Sequence, residues 1–319
     1  MPVSEIPLDA PRPARPAEPT PFAIDPSLTC TVPKEYVHRA AVAEVFLTGW
    51  ARYGETRFVV TGEWPRSHVF YTPGADGLHD PTITAETIRQ AGLLLCHAGL
   101  GVPLDHHFLM HDMHFRVHPE RLAVGSAPAE LEIDVECTEI RRRAGAVSKL
   151  HYEAVLRRDG AIVATGGAST STISPQVYRR MRGEAATRAV PAALPAADPR
   201  AVGRTSIDDV VLSPADEPDR WRLRLDLRHP VIFDHPGDHI PGMALLESAR
   251  QATVAALGGR DARVLGMAVG FTRYAELADP CFIEVRPLPG DDAAPERSIL
   301  VTGIQNGEQV FSATVAGTP

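Results

Sequence analysis

Lysine is nearly absent from this chain: Lys34 and Lys149 are the only two among 32 basic side chains. Neither lies near the motifs described below, so Schiff-base chemistry, which needs a placed lysine amine, is not expected. Cysteine is scarce and scattered. Cys30, Cys96, Cys137 and Cys281 form no C-x-x-C pair, which excludes a disulfide frame and a cysteine zinc site and fits reduced thiols in a cytoplasmic protein. No apolar run approaches the roughly 20 residues needed to span a bilayer. The N-terminus lacks the basic-then-apolar order of a signal peptide. Positive charge is also short: the net charge is −8, and no basic stripe suggests a nucleic-acid partner. A local basic pocket for an anionic substrate stays open. There is no G-x-S-x-G elbow, so a serine acyl-enzyme is not expected.

What is present is a repeat. The 319 residues suit two domains of about 150 each. Residues 1–32 carry prolines at 2, 7, 11, 13, 16, 19, 21 and 26, a spacing that blocks helix and sheet and predicts a disordered tail. Residues 183–201, rich in alanine and proline, read as a linker. The expected domains are 33–182 and 202–319. Both open with V-x-R and a strand-like run, VHRAAVAEVFL from Val37 and VGRTSIDDVVL from Val202. Both then offer a helix containing E-x-x-R-Q-A, at Glu86, Arg89, Gln90, Ala91 and at Glu247, Arg250, Gln251, Ala252. Each helix is apolar on most faces, which predicts burial. Each half closes with strands, the last two joined at Asp159-Gly160 or Asn306-Gly307, dipeptides suited to type I′ hairpins. Two fused hot-dog domains, each an antiparallel sheet wrapped around one long helix, is the α+β architecture that follows.

The densest motif is RHPVIFDHPGDHIPGMALLESARQAT, Arg228 to Thr253. Asp234-His235 and Asp238-His239 precede Pro241-Gly242, which opens the second helix. A helix start presents unpaired N–H groups that suit an oxyanion or phosphate. Glu86 and Glu247 are candidate bases, since a lone carboxylate in an apolar helix is costly. His235 joins them as a candidate catalytic group. Arg250 and Arg89, three residues after each glutamate, are candidate phosphate ligands. The same pairs also fit plain i,i+3 ion pairs that hold the helices. His106, His107, His111 and His114 have metal-like spacing but no second ligand cluster, and no metal is expected.

The set WPRSHVFY from Trp64, the DP…ETIRQAGLLL stretch from Asp80, GVPL…FLM from Gly101 and DHPGDHIPGMALLESARQA from Asp234 resembles the AfsA-type γ-butyrolactone (A-factor) synthases. The resemblance covers about residues 36–316. It implies an acyltransferase that joins a β-ketoacyl group, carried on acyl carrier protein, to dihydroxyacetone phosphate without a cofactor, on the way to γ-butyrolactone or butenolide signals. A hot-dog dehydratase or thioesterase, or a non-catalytic acyl-ligand regulator, is the alternative. By analogy with dimeric hot-dog enzymes, His235 is expected to face Glu86 and His68 to face Glu247 across an acyl tunnel at the seam. The second half is expected to supply the main active-site helix, with Arg250 on the phosphate.

Overall fold

The computed structural model describes residues 28–143, 145–183, 188–259, 261–290 and 295–319. Most of the expected N-terminal tail lies outside them. Its end does not behave as a tail: Val32 is buried and its amide donates to the Leu47 carbonyl at 2.9 Å.

From Thr31 to Pro319 the chain forms one compact unit. The first half contributes β1 (Leu47–Arg52), β2 (Arg57–Trp64), α1 (Ile83–Leu94), β3 (His107–Val117), β4 (Ala129–Arg143), β5 (Ala146–Arg158), β6 (Ala161–Ile173) and α2 (Pro175–Arg182). The second contributes β7 (Leu212–Pro214), β8 (Arg220–Leu223), α3 (Gly242–Ala256), β9 (Arg263–Phe271), β10 (Cys281–Pro287), β11 (Arg297–Gln305) and β12 (Glu308–Thr318). Among the described residues, these twelve strands join one sheet in the order β1-β2-β4-β5-β6-β3-β9-β12-β11-β10-β8-β7. The order is palindromic about β3 and β9, so the two halves are tandem hot-dog domains related by a pseudo-twofold. The seam is a backbone ladder in which Asp112 to Arg116 pair with Gly270 to Gly266.

Strand alternation drives this shape. Leu131, Ile133, Val135 and Cys137 of β4 point inward and are buried, and their neighbours are exposed or half-buried. That period of two lays one continuous apolar face against the helices. The helices are buried on nearly every side: Ile83, Ile88, Ala91 and Leu94 of α1, and Ala244, Leu245, Ala249 and Ala252 of α3. Gly92 lets α1 approach the sheet. A Cβ there would sit 2.2 Å from the Tyr152 hydroxyl, which donates to the Ile88 carbonyl at 2.9 Å. The hairpin dipeptides have the positive φ expected of them: Asp159 51°, Gly160 75°, Asn306 53° and Gly307 76°.

The segment expected as a linker is tied down over much of its described length. Ala197 is buried and donates to Leu212, and the Arg224 Nε donates to the Leu194 carbonyl. A cavity of about 10 Å³ lies beside α3, lined by Val211, His229, Ile232, Phe233 and Ala244. It has room for about one water. No helix among the described residues is long and apolar enough to cross a membrane.

Candidate active site

Two buried ion clusters stand in equivalent places. In the first half, both Glu86 oxygens are taken by Arg89, at 2.9 and 2.8 Å, while Arg39 and Gln90 also donate to Oε1. In the second, Arg204 and Arg250 grip both Glu247 oxygens at 2.6–2.9 Å and Gln251 donates to Oε1. Burial pushes both carboxylates up, but the paired arginines outweigh it and hold each down at about 2. Such a carboxylate is ionised at neutral pH and has its lone pairs occupied. It is a poor proton acceptor near neutral pH. The arginines also stitch the halves together. Arg39 donates to the Val231 carbonyl, and Arg204 donates to the Phe70 carbonyl.

Next to the first cluster the chain builds a histidine site. Val37 to Arg39 close a short 3₁₀ turn, and His38 caps it with a left-handed φ of 52°. After α1 the helix widens into one π turn, Leu95–Gly99, closed by the Leu100 amide on the Leu95 carbonyl. Such a bulge re-aims a side chain, and here it aims His97. The His97 Nδ1 lies 2.8 Å from the Val102 carbonyl and therefore carries the proton. Its Nε2 must then accept from the His38 Nε2, 2.8 Å away. His38 is left with a bare Nδ1. Burial first, then His97, Arg89 and His235, lower its pKa to about 3, so it stays neutral.

The loop after β8 enters this site from the other half. Asp234 accepts from the His235 Nδ1 at 2.5 Å and from the Ala40 amide at 2.9 Å, with Arg39 at 3.6 Å. Burial pushes the Asp234 carboxyl up, but these donors win and hold it below its usual range. It is therefore ionised, which fixes the His235 proton on Nδ1 and turns Nε2, on a half-exposed ring, outward. Arg39–Asp234–His235 is thus a relay that crosses the seam, of the kind that orients a general base.

Four residues on, the pattern repeats. Asp238 accepts from the His239 Nδ1 at 2.6 Å, the Tyr178 hydroxyl at 2.5 Å and the Arg182 Nε at 3.1 Å. Burial is again overcome by these donors, and the carboxyl is held at about 2. Arg182 also binds Glu276 in bidentate fashion, both contacts 2.7 Å. Tyr178 stacks on His107 with centroids 3.6 Å apart, and Tyr274 meets His239 edge-on at 4.6 Å. Just beyond, α3 begins at Gly242 with no side-chain cap. α1 likewise starts with no side-chain cap; Asp80 accepts from the amide and hydroxyl of Thr82, the residue before it.

A profile for the A-factor biosynthesis hotdog domain matches residues 23–174 and again 185–318. The chain is 50% identical over 290 residues to a 2-oxo-3-(phosphooxy)propyl 3-oxoalkanoate synthase of Streptomyces virginiae, covering 90% of this chain and 98% of that one. It belongs to the A-factor biosynthesis hotdog family. A synthase of the same name from Streptomyces coelicolor is 43% identical, covering 90% of this chain and 91% of the relative. Among solved structures, a putative oleoyl thioesterase from Lactobacillus plantarum superposes with a TM-score of 0.51 at 12% identity, covering 82% of this chain and 96% of that one. That likeness speaks for the hot-dog fold alone.

Within this A-factor-family chain the expected residues fall into different places. Glu86 and Glu247 sit inside ion clusters, not on an open face. His235 does not face Glu86; Asp234 and Arg39 lie between them. His68 does not meet Glu247 but lies 3.4 Å from Glu44, and its Nδ1 accepts from the Phe70 and Tyr71 amides. Its true counterpart is His229, which accepts from the Val231 and Ile232 amides and pairs with Asp209. Arg250 lies in the half that lacks the histidine pair: Gly203 stands where the first half has His38, and Gly258 where it has His97. Its twin Arg89 lies beside His38. The helix start at Pro241-Gly242 borders the Asp238–His239 loop as expected. His38, His97, Tyr178, Arg182 and Tyr274 are not marked by any sequence motif. One signal was available for His38, since it breaks the V-G-R seen at Val202–Arg204.

Proposed function

We propose that this protein is a 2-oxo-3-(phosphooxy)propyl 3-oxoalkanoate synthase, an acyltransferase that condenses a β-ketoacyl thioester with dihydroxyacetone phosphate in the making of butyrolactone-type autoregulators. The named relatives support this reading at 50% and 43% identity across nine-tenths of the chain. The acyl donor in this proposal is carried by acyl carrier protein, and no cofactor takes part. A cytoplasmic setting suits both substrates.

The His235 Nε2 takes the proton from the substrate hydroxyl, and the freed oxygen attacks the thioester carbonyl. Asp234 steadies the imidazolium that forms. The carbonyl oxygen becomes an oxyanion, for which the uncapped α3 start at Pro241-Gly242 supplies N–H groups and a partial positive charge. Collapse breaks the C–S bond and releases the thiol and the phosphorylated ester. Arg89, 16% exposed at the side chain against 8% for Arg250, is the arginine offered to the phosphate. Glu86 holds Arg39 and Arg89 in place rather than taking the proton.

The observation that carries this assignment is the Arg39–Asp234–His235 relay beside His38, built from both halves at one end of the pseudo-twofold only. Incubation with a β-ketoacyl thioester and dihydroxyacetone phosphate, followed by mass spectrometry, tests it. The phosphorylated ester or its butenolide is expected. Release of free β-keto acid without ester would mark a thioesterase instead.

A further inference from the structure

We propose that His239 is a second catalytic histidine, the acid that protonates the departing thiolate. This deepens the synthase reading and rests on it. Two Arg–Asp–His relays of the same build occur within six residues, Arg39–Asp234–His235 and Arg182–Asp238–His239. Neither is needed to make a hot-dog half. The positions that precede the first helix by the same interval carry Pro73-Gly74 and Gly77-Leu78, and that half folds equally well.

The second relay is over-built for a structural contact. Tyr178 and Arg182 already satisfy Asp238, and Arg182 is fixed in turn by Glu276. A packing role would be complete without an imidazole. Instead Asp238 orients His239 through Nδ1 and leaves Nε2 on a partly exposed ring. The groups around that ring are Asp238 from its own loop, Tyr178 from α2, His107 from β3 and Tyr274 from the segment after β9, with Arg182 behind them on Asp238 and Glu276. The Tyr274 hydroxyl beside it is buried and has no hydrogen-bond partner among the described residues, which leaves a donor for a bound group.

Transfer of an acyl group from sulfur to oxygen needs a base on the incoming hydroxyl and a proton for the outgoing sulfur. With His235 as the base, the C–S bond breaks with its electron pair on sulfur, and the His239 Nε2 gives that sulfur a proton. His239 is left neutral with Nδ1–H still on Asp238. His235 holds the hydroxyl proton, and exchange with water restores both states. The net movement is one proton from oxygen to sulfur.

The test compares two β-ketoacyl thioesters, one of an alkyl thiol such as N-acetylcysteamine and one of an acidic aryl thiol, with dihydroxyacetone phosphate as acceptor. A thiophenolate leaves without help, so acid catalysis matters only for the alkyl donor. His239→Gln is expected to lower kcat about 10²-fold with the alkyl thioester and only a few-fold with the aryl one, with the thermal midpoint unchanged. His235→Gln should slow both donors alike. Asp238→Asn should repeat the donor-selective loss more weakly and so guards against a folding defect peculiar to the histidine variant. An equal loss with both donors for His239→Gln, or no loss with either, overturns the proposal. Failure of the wild-type chain to form ester from either donor overturns the synthase reading itself, and this proposal with it.

Discussion

His38 and Gly203 occupy the same place in the two halves, each one residue before the arginine that grips a buried glutamate, and both lie in the left-handed region, at φ 52° and 67°. Glycine enters that region freely, and a histidine pays roughly 1–3 kcal/mol of strain to be there. The strain is offset in part by the bond to His97. His38→Gly is therefore expected to leave the denaturant midpoint unchanged or raise it slightly, while ester formation falls at least tenfold. A large loss of stability would mean that His38 is a packing residue.

The twin arginines supply an internally controlled comparison. Arg89 and Arg250 make the same contacts to their glutamates and to the carbonyls of Val37 and Val202. Replacement of either by alanine should cost similar stability. Only Arg89→Ala should also raise the KM for dihydroxyacetone phosphate, by about tenfold or more, with the KM for the acyl donor little changed. Steady-state kinetics with each substrate varied in turn reads this out. An effect confined to Arg250→Ala would place the phosphate in the other half.

Glu247→Gln leaves Arg250 buried without its counter-charge and Arg204 with Asp80 as its remaining carboxylate partner, so it should destabilise the fold by about 3–5 kcal/mol. The surviving folded protein should keep most of its kcat. Equilibrium unfolding together with activity per folded molecule checks both parts. A stable but inactive variant would restore Glu247 as a base.

Stability should also fall in acid, in two stages. Burial and neighbouring cationic groups keep His38 and His79 neutral in the fold, down to about 3 and 4, whereas the unfolded chain protonates them near 6.5. The unfolded state therefore binds more protons below about pH 6.5, and stability declines there. Glu86 and Glu247 are held at about 2 despite burial, against a usual 4.5. Their contribution is present above pH 4.5 and is lost as pH falls through 4.5 toward 2. The thermal midpoint should be flat from pH 7 to 8, decline below 6.5 and drop more steeply below 4.5. A midpoint that rises from pH 7 to 5 contradicts this account.

Much of the architecture is legible in the sequence because it rests on local signals. The repeated E-x-x-R-Q-A marks two buried helices, and Asp159-Gly160 and Asn306-Gly307 mark two hairpins. The site is less legible because it depends on contacts between distant segments. A glutamate in an apolar helix looks reactive until Arg39 and Arg204, 47 and 43 residues away, are seen to neutralise it. His68 and His235 look like partners because each lies in a loop before a helix. The backbone shows instead that His68 corresponds to His229, so that the two D-H pairs have no counterpart in the first half. Tyr178 and Arg182 sit on a short helix before the expected linker, where nothing local suggests that they hold Asp238.

His235 is the proposed catalytic base. The most direct measurement is the rate of phosphorylated-ester formation by His235→Gln, followed by mass spectrometry at saturating β-ketoacyl thioester and dihydroxyacetone phosphate. The ring is half-exposed, so the fold should be intact by thermal melting, and the rate should fall about 10²-fold or more. A His235→Gln protein that forms ester at the wild-type rate would contradict the assignment of the Arg39–Asp234–His235 relay as the catalytic base.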